Sequence, residues 1–259
     1  MRNIHQFLRL IDLRTISVTI LAVISTYACK RFNLVADMPS GLIGIAIIFP
    51  IVFSINAAYR RREEALKYYA SLKAHAVSLF YAHRDWVPVG DDGPDDAQRM
   101  RSLIDRLLTS IMGYFLTKDN IKNQELEDVY SVFSEISQSH EILRDKKIPA
   151  NEISRANQYL RAMIIEFERM KNILFYRTPI SIRSYSFVFL NSFPILYGPY
   201  FAHLSSKYYE ALGYMIAVLY SLVLVSLDNI QEDLEDPFDS YGPDDMHMDV
   251  IDEYMKILN

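Results

Sequence analysis

A single cysteine, Cys29, stands in a chain of 259 residues, so no intrachain disulfide and no thiolate metal cluster can form, and Cys29 is expected to pack as a small apolar residue. The six histidines, His5, His75, His83, His140, His203 and His247, never fall with acids at the spacing of a metal-ligand set. No metal and no cofactor is expected. The eight glycines form no phosphate-cradling loop, no G-x-S-x-G elbow occurs, and no nucleophile, base and orienting group come together. The chain therefore does not read as an enzyme. Nor is there a basic patch interleaved with aromatics, so nucleic acid is not an expected partner.

Hydrophobic residues are plentiful. They make up 51% of the chain, while mean hydropathy stays near zero, which implies a mixed architecture, part membrane and part water-exposed. The net charge of -5 hides an asymmetry. From Asp228 onward there are 11 acids and only Lys256 as a base, leaving 26 bases against 21 acids in residues 1–227. The acidic end either packs on a basic body, in its own subunit or a neighbour's, or is a solvated tail.

The central stretch is Pro39 to Tyr59, 21 residues without a charge. At about 1.5 Å per residue it suffices to cross a hydrocarbon core of roughly 30 Å. Ile45, Phe49, Val52, Phe53 and Asn56 recur on it at helical spacing, an apolar stripe ending in an amide. Such stripes most often pack against neighbouring helices. Arg60, Arg61 and Arg62 mark the exit as cytoplasmic, which places the N-terminus on the same side.

Upstream, Ile4, Phe7, Leu8 and Ile11 share the face of an amphipathic entry helix that lacks a clean cleavage site and is expected to be retained. The 15 uncharged residues from Thr15 to Cys29 span if Arg14 and Lys30 snorkel at the two ends. Downstream, amphipathic stripes predict helices over 97–117, 124–144 and 151–175, the last capped by Asn151, with no period-two run to suggest strands. A third span is expected over 184–206, kinked or broken at Pro194 and Pro199, and a fourth over 211–227. The expected fold is all-α, an integral membrane protein with four transmembrane helices. Residues 1–59 hold the N-terminal helix and spans one and two, with 39–59 as the second; 60–183 form a helical cytoplasmic domain; 184–227 hold spans three and four; and 228–259 form an acidic cytoplasmic segment.

Two separated pieces resemble the bestrophin family, particularly its bacterial branch. One is GLIGIAIIFPIVFSINAAYRRREEA. The other is Arg177-Thr178-Pro179-Ile180 before span three, paired with EDLEDPFDSYGPDDMHMD after span four, where Glu235-Asp236-Pro237-Phe238 followed by Asp244, Asp245 and Asp249 is the most specific part. The resemblance implies a homopentameric ion channel, a self-assembled partner of the lipid bilayer and of permeant ions, in the inner membrane if the source is bacterial. Small monovalent ions would pass, anions such as chloride being favoured by the family and cations also compatible. It further implies a hydrophobic neck at Ile45, Phe49 and Phe53 and a cytosolic constriction at Ile180. Asn56 is either a polar ring below the neck or an interhelical hydrogen bond. Glu235, Asp236, Asp244 and Asp245 would be a divalent site or an inter-subunit acidic contact. Three departures stand out: Arg62 and Glu63 replace the family's paired tryptophans, Pro50 sits between neck positions, and Ser240 to Pro243 interrupt the acidic run. A non-conducting, membrane-anchored helical scaffold or signalling subunit is the alternative that Arg62-Glu63 and Pro50 motivate.

Overall fold

The computed structural model describes residues 12–87, 93–117, 122–176, 179–239 and 245–258. Among them the secondary structure is helical throughout: α1 (Leu13–Arg31), α2 (Ser40–Asp85), α3 (Gly93–Leu116), α4 (Lys122–Asp145), α5 (Ala150–Phe175), α6 (Ile180–Lys207), α7 (Glu210–Glu235) and α8 (Ile251–Ile257). The chain divides into two compact units. Residues 1–61 and 177–236 form the first, and 62–176 with 237–259 form the second. The amphipathic entry helix predicted before residue 12 lies outside the described residues.

In the first unit α1, α6 and α7 pack pairwise. Asp12 starts α1 as an N-cap, its Oδ1 accepting from the Thr15 backbone N–H at 2.7 Å and from the Thr15 hydroxyl at 2.8 Å. With that cap the helix covers 19 residues, about 29 Å at ~1.5 Å per residue. α1 and α7 are each long and apolar enough to cross a membrane. Small residues bring the three backbones together. A Cβ on Gly198 would strike Ser25 and Cys29 of α1, and one on Gly213 would strike the Phe201 carbonyl and Ser205 of α6. Cys29 is a free thiol packed at this crossing. Two hydroxyls inside the bundle return to their own helix: Thr26 donates to the Ala22 carbonyl at 2.7 Å and Ser221 to the Ala217 carbonyl at 2.9 Å. Satisfied in this way, they need neither water nor a partner helix.

α6 runs unbroken past Pro194 and Pro199, and α2 past Pro50. Of the kink or break expected in span three, the break is absent. Its physical reason lies in the neighbours: Phe193, Tyr197 and Phe201 are buried on one face of α6 and hold the helix through both prolines. The Pro199 carbonyl also accepts from the Ala36 backbone N–H at 3.3 Å, tying the α1–α2 connection to α6.

The second unit is a helical domain with an aromatic centre. Phe167 of α5 meets Tyr114 and Phe115 of α3 and Phe133 of α4 edge-on or tilted, with centroids 5.5 to 6.1 Å apart. Leu72, Ala76 and Leu79 of α2 close the same core. α5 begins at Ala150 with Pro149 as its N-cap, and Asn151 makes no cap: the Pro149 carbonyl accepts from the backbone N–H groups of Glu152 and Ile153 at 2.9 and 3.2 Å. Proline fixes its own φ at -56°, so the entry is already turned when the first helical residue arrives and needs no side-chain cap.

The C-terminal segment of this unit is a strap rather than a free tail. Phe238 stacks on Phe115 at 4.3 Å, and Met246, Met248 and Leu258 are buried beside it. Tyr69 donates its hydroxyl to the Met248 carbonyl at 3.0 Å, and Arg101 donates to the Met255 carbonyl at 2.7 Å.

Candidate functional site

The first part of α2 turns its stripe outward. Ile45, Phe49, Val52 and Phe53 are 63%, 59%, 51% and 56% exposed, whereas Gly44, Ile51, Ser54 and Ala58 are buried toward the bundle. At 100° per residue the four exposed positions fall in one arc and the four buried ones in the opposite arc. Phe49 and Phe53, one turn apart, meet edge-to-face with centroids 4.5 Å apart and planes at 82°. Asn56 is exposed on the same arc.

The pattern is inverted for a water-facing helix. Large apolar groups look out and mostly small ones look in, which in water would cost about 1.5–3 kcal/mol for each large side chain left unburied. Something other than water must cover this arc, or these side chains must line a passage where exclusion of water is itself the function.

Ile180 opens α6 directly after Pro179, and its side chain lies outside the described residues. Glu235 ends α7, is almost fully buried, and accepts from Gln231 Nε2 at 3.0 Å; Asp236 is the C-cap residue that follows. Asp245 is buried in the second unit, next to a link in which the Met246 backbone N–H donates to the Pro237 carbonyl at 2.8 Å. Asp244 lies outside the described residues. No group of three or more His, Cys, Asp or Glu able to hold a metal occurs among the described residues. Where the family pattern has paired aromatics, Arg62 donates to the carboxylate of Glu63 at 2.9 Å, an ion pair between chain neighbours.

Two clusters were not foreseen from the sequence. At one end of the first unit Arg14 bridges Asp228 at 2.8 Å and Glu232 at 3.4 Å, with its guanidinium carbon 5.6 Å from the centre of the Phe187 ring. The available signal was positional, since Arg14 and Asp228 are the charges that bound the first and fourth apolar runs. In the second unit His83 and His140 stack with centroids 5.8 Å apart, both nearly inaccessible, and neither Nε2 has a hydrogen-bond partner. His140 Nδ1 is 3.0 Å from Asn157 Oδ1, and Asn157 uses its amide N–H on the Ile153 carbonyl. The Asn157 oxygen is therefore the acceptor, and the His140 proton sits on Nδ1.

Among the described residues the protein is all-α, with a glycine-packed apolar bundle, two helices long and apolar enough to cross a membrane, and a third that bares large hydrophobic residues. Solved structures narrow that class. A bacterial bestrophin homologue from Klebsiella pneumoniae, phased on zinc, superposes with a TM-score of 0.76 over 95% of this chain and 96% of its own at 16% identity. Two substituted forms of the Klebsiella pneumoniae homologue give TM-scores of 0.75 and 0.74, covering 95% and 100% of this chain and 97% and 98% of theirs, at 16% and 17% identity. The chain has the bestrophin fold. No protein-family model matches the sequence, and no curated protein matches it.

Proposed function

We propose that the protein is the subunit of a homopentameric ion channel that conducts small monovalent ions, chloride among them, through a hydrophobic neck. The observation that carries the reading is the outward arc of Ile45, Phe49, Val52 and Phe53, on the helix whose sequence resembles the bestrophin pore helix, in a chain with the bestrophin fold. In this reading α1, the apolar first part of α2, α6 and α7 are the four membrane spans, and Arg60 to Arg62 keep both termini on the cytoplasmic side. Five copies of Ile45, Phe49 and Phe53 form successive rings around the axis. Such rings hold no hydrogen-bonding group, so a narrow neck empties of water and blocks ions, and a modest widening lets hydrated ions through. Asn56 adds a ring of amides below the neck, and Ile180 forms the cytosolic constriction. Glu235, Asp236, Asp244 and Asp245 are candidates for a divalent site or an acidic contact with a neighbouring subunit.

Purified protein reconstituted in planar bilayers tests this. The expected results are single-channel conductance and a larger conductance for the Phe49→Ala/Phe53→Ala variant, with reversal potentials under a salt gradient giving the preferred ion. Silence from both proteins would sink the channel and leave the anchored scaffold.

A further inference from the structure

The bundle of the first unit opens at one end into a cleft of about 490 Å³ between α1, α6 and α7. Arg14, Asp228 and Glu232 form its charged wall, with Ser184 beside them and Phe187 and Val188 at its apolar side. Two carboxylates meet one guanidinium, so the wall carries a net charge of about -1 when all three are ionised. The two acids are not equivalent. The Asp228 side chain is only 5% exposed and holds Arg14 at 2.8 Å, whereas Glu232 is 61% exposed and sits at a loose 3.4 Å from the same nitrogen. Arg14 thus spends Nη1 chiefly on Asp228 while its Nη2 is buried without a hydrogen-bond partner among the described residues, and Glu232 keeps acceptor capacity facing the opening.

The apolar side continues along α6. Phe187, Val188, Ile195 and Leu196 are all exposed, and Val188 and Ile195, seven residues apart, lie one above the other on the helix. Between them Asn191 donates one amide N–H back to the Phe187 carbonyl at 2.7 Å, which ties that group to its own helix. A strip of this kind leading into a polar, acidic cleft fits an amphiphile with a cationic head.

We propose that this cleft seats the headgroup of a membrane phospholipid ending in a primary ammonium, with the ammonium on Glu232 and an acyl chain along Val188 and Ile195. The proposal rests on the membrane reading above. An ammonium supplies N–H donors to the open carboxylate, and a phosphate-only headgroup brings a second anion toward two acids and one already paired arginine.

The test uses the full chain in detergent, titrated with phosphatidylethanolamine, phosphatidylglycerol or soluble glycerophosphoethanolamine and read by native mass spectrometry. Phosphatidylethanolamine should be retained over phosphatidylglycerol. Glu232→Gln should weaken its retention about three- to fivefold, as expected for a partly exposed ion pair of up to about 1 kcal/mol. Glu232→Lys should reverse the order of the two lipids, and Val188→Ser should weaken both while leaving the order unchanged. Equal retention of the two lipids, an unchanged order in Glu232→Lys, or binding of the soluble headgroup as tight as that of the lipid would overturn the proposal. A changed subunit number in Glu232→Lys would also overturn it, because the cleft would then belong to a contact between copies. Conductance does not enter this readout, so lipid selectivity without conductance removes only the channel, and conductance without selectivity removes only the lipid site.

Discussion

The stacked pair His83 and His140 makes the second unit sensitive to acid. Burial pushes His83 down from its ordinary value to about 4, assisted by the neighbouring His140 ring and the positive charge of Arg99. His140 is lowered too, chiefly by burial and also by Arg144, with its Asn157 hydrogen bond and Glu141 opposing. Both imidazoles are neutral in the folded protein near pH 7. Above about pH 6.5 the unfolded chain is neutral at these positions as well, and the pair contributes no pH dependence. As pH falls from about 6.5 toward 4, the unfolded chain takes up protons that folded His83 refuses, so stability is lost on acidification and the loss levels off below the folded value. A shift from 6.5 to about 4 corresponds to about 3 kcal/mol for His83, at about 1.4 kcal/mol per unit. The assay is thermal or denaturant unfolding of the detergent-solubilised protein at intervals from pH 7.5 to 4.5, beside His83→Gln, whose amide does not titrate. Carboxylates titrate in both proteins, so the difference between the two curves isolates the histidine. Wild type should lose about 2 kcal/mol more than the variant between pH 6.5 and 5, at up to ~1.4 kcal/mol per pH unit. Superimposable curves would refute the reasoning.

Other perturbations separate the two cores. Gly213→Val drives side-chain atoms into the Phe201 carbonyl, which cannot yield without moving α6, and should cost about 1–3 kcal/mol, visible as a lower melting temperature and fewer intact particles on size exclusion. Phe238→Ala removes the ring stacked on Phe115 and should cost about 3–5 kcal/mol, with faster proteolysis of the C-terminal strap as its local signature. Arg14→Met leaves Asp228 buried without its cation and should cost about 3–5 kcal/mol; Arg14→Met/Asp228→Leu should recover most of it, and equal loss in the single and double variants would argue against the pair.

What the sequence made legible follows from periodicity. The stripes over 97–117 and 124–144 appear as α3 and α4, because a repeat of 3.6 residues with no competing alternation leaves the backbone little choice, and the uncharged run of 211–227 falls within α7. Ends were less legible. The entry to α5 passed from Asn151 to Pro149 because a proline that presets φ substitutes for a side-chain cap, and α7 continues through Asp228, Glu232 and Glu235 because Arg14 answers the first two of those acids and Gln231 the third. The histidine pair had no linear signal at all: His83 and His140 are 57 positions apart and meet only through the packing of α2 on α4.

α2 itself shows how far the outward arc departs from the rest of the helix. In its later part Tyr69, Leu72, Leu79 and Phe80 point inward while Glu64 and Lys67 stay exposed, the ordinary arrangement for a helix bordered by water. In its earlier part, on the same continuous helix, Ile45, Phe49, Val52 and Phe53 point outward, and of the inward positions Gly44, Ile51, Ser54 and Ala58 only Ile51 is large and apolar. One helix therefore obeys two opposite burial rules on either side of Arg60 to Arg62, and a single solvent cannot satisfy both. Lipid alone would explain exposed isoleucine and valine, but it gives no reason for an exposed asparagine to follow the two phenylalanines on the same arc. The proposed passage, in which apolar rings give way to amides, would account for Phe49, Phe53 and Asn56 together, and it predicts that Asn56→Leu should lower conductance in reconstituted bilayers while leaving the stability to unfolding within about 0.5 kcal/mol of wild type, as for a surface position. A large loss of stability with unchanged conductance would instead assign Asn56 to an interhelical hydrogen bond.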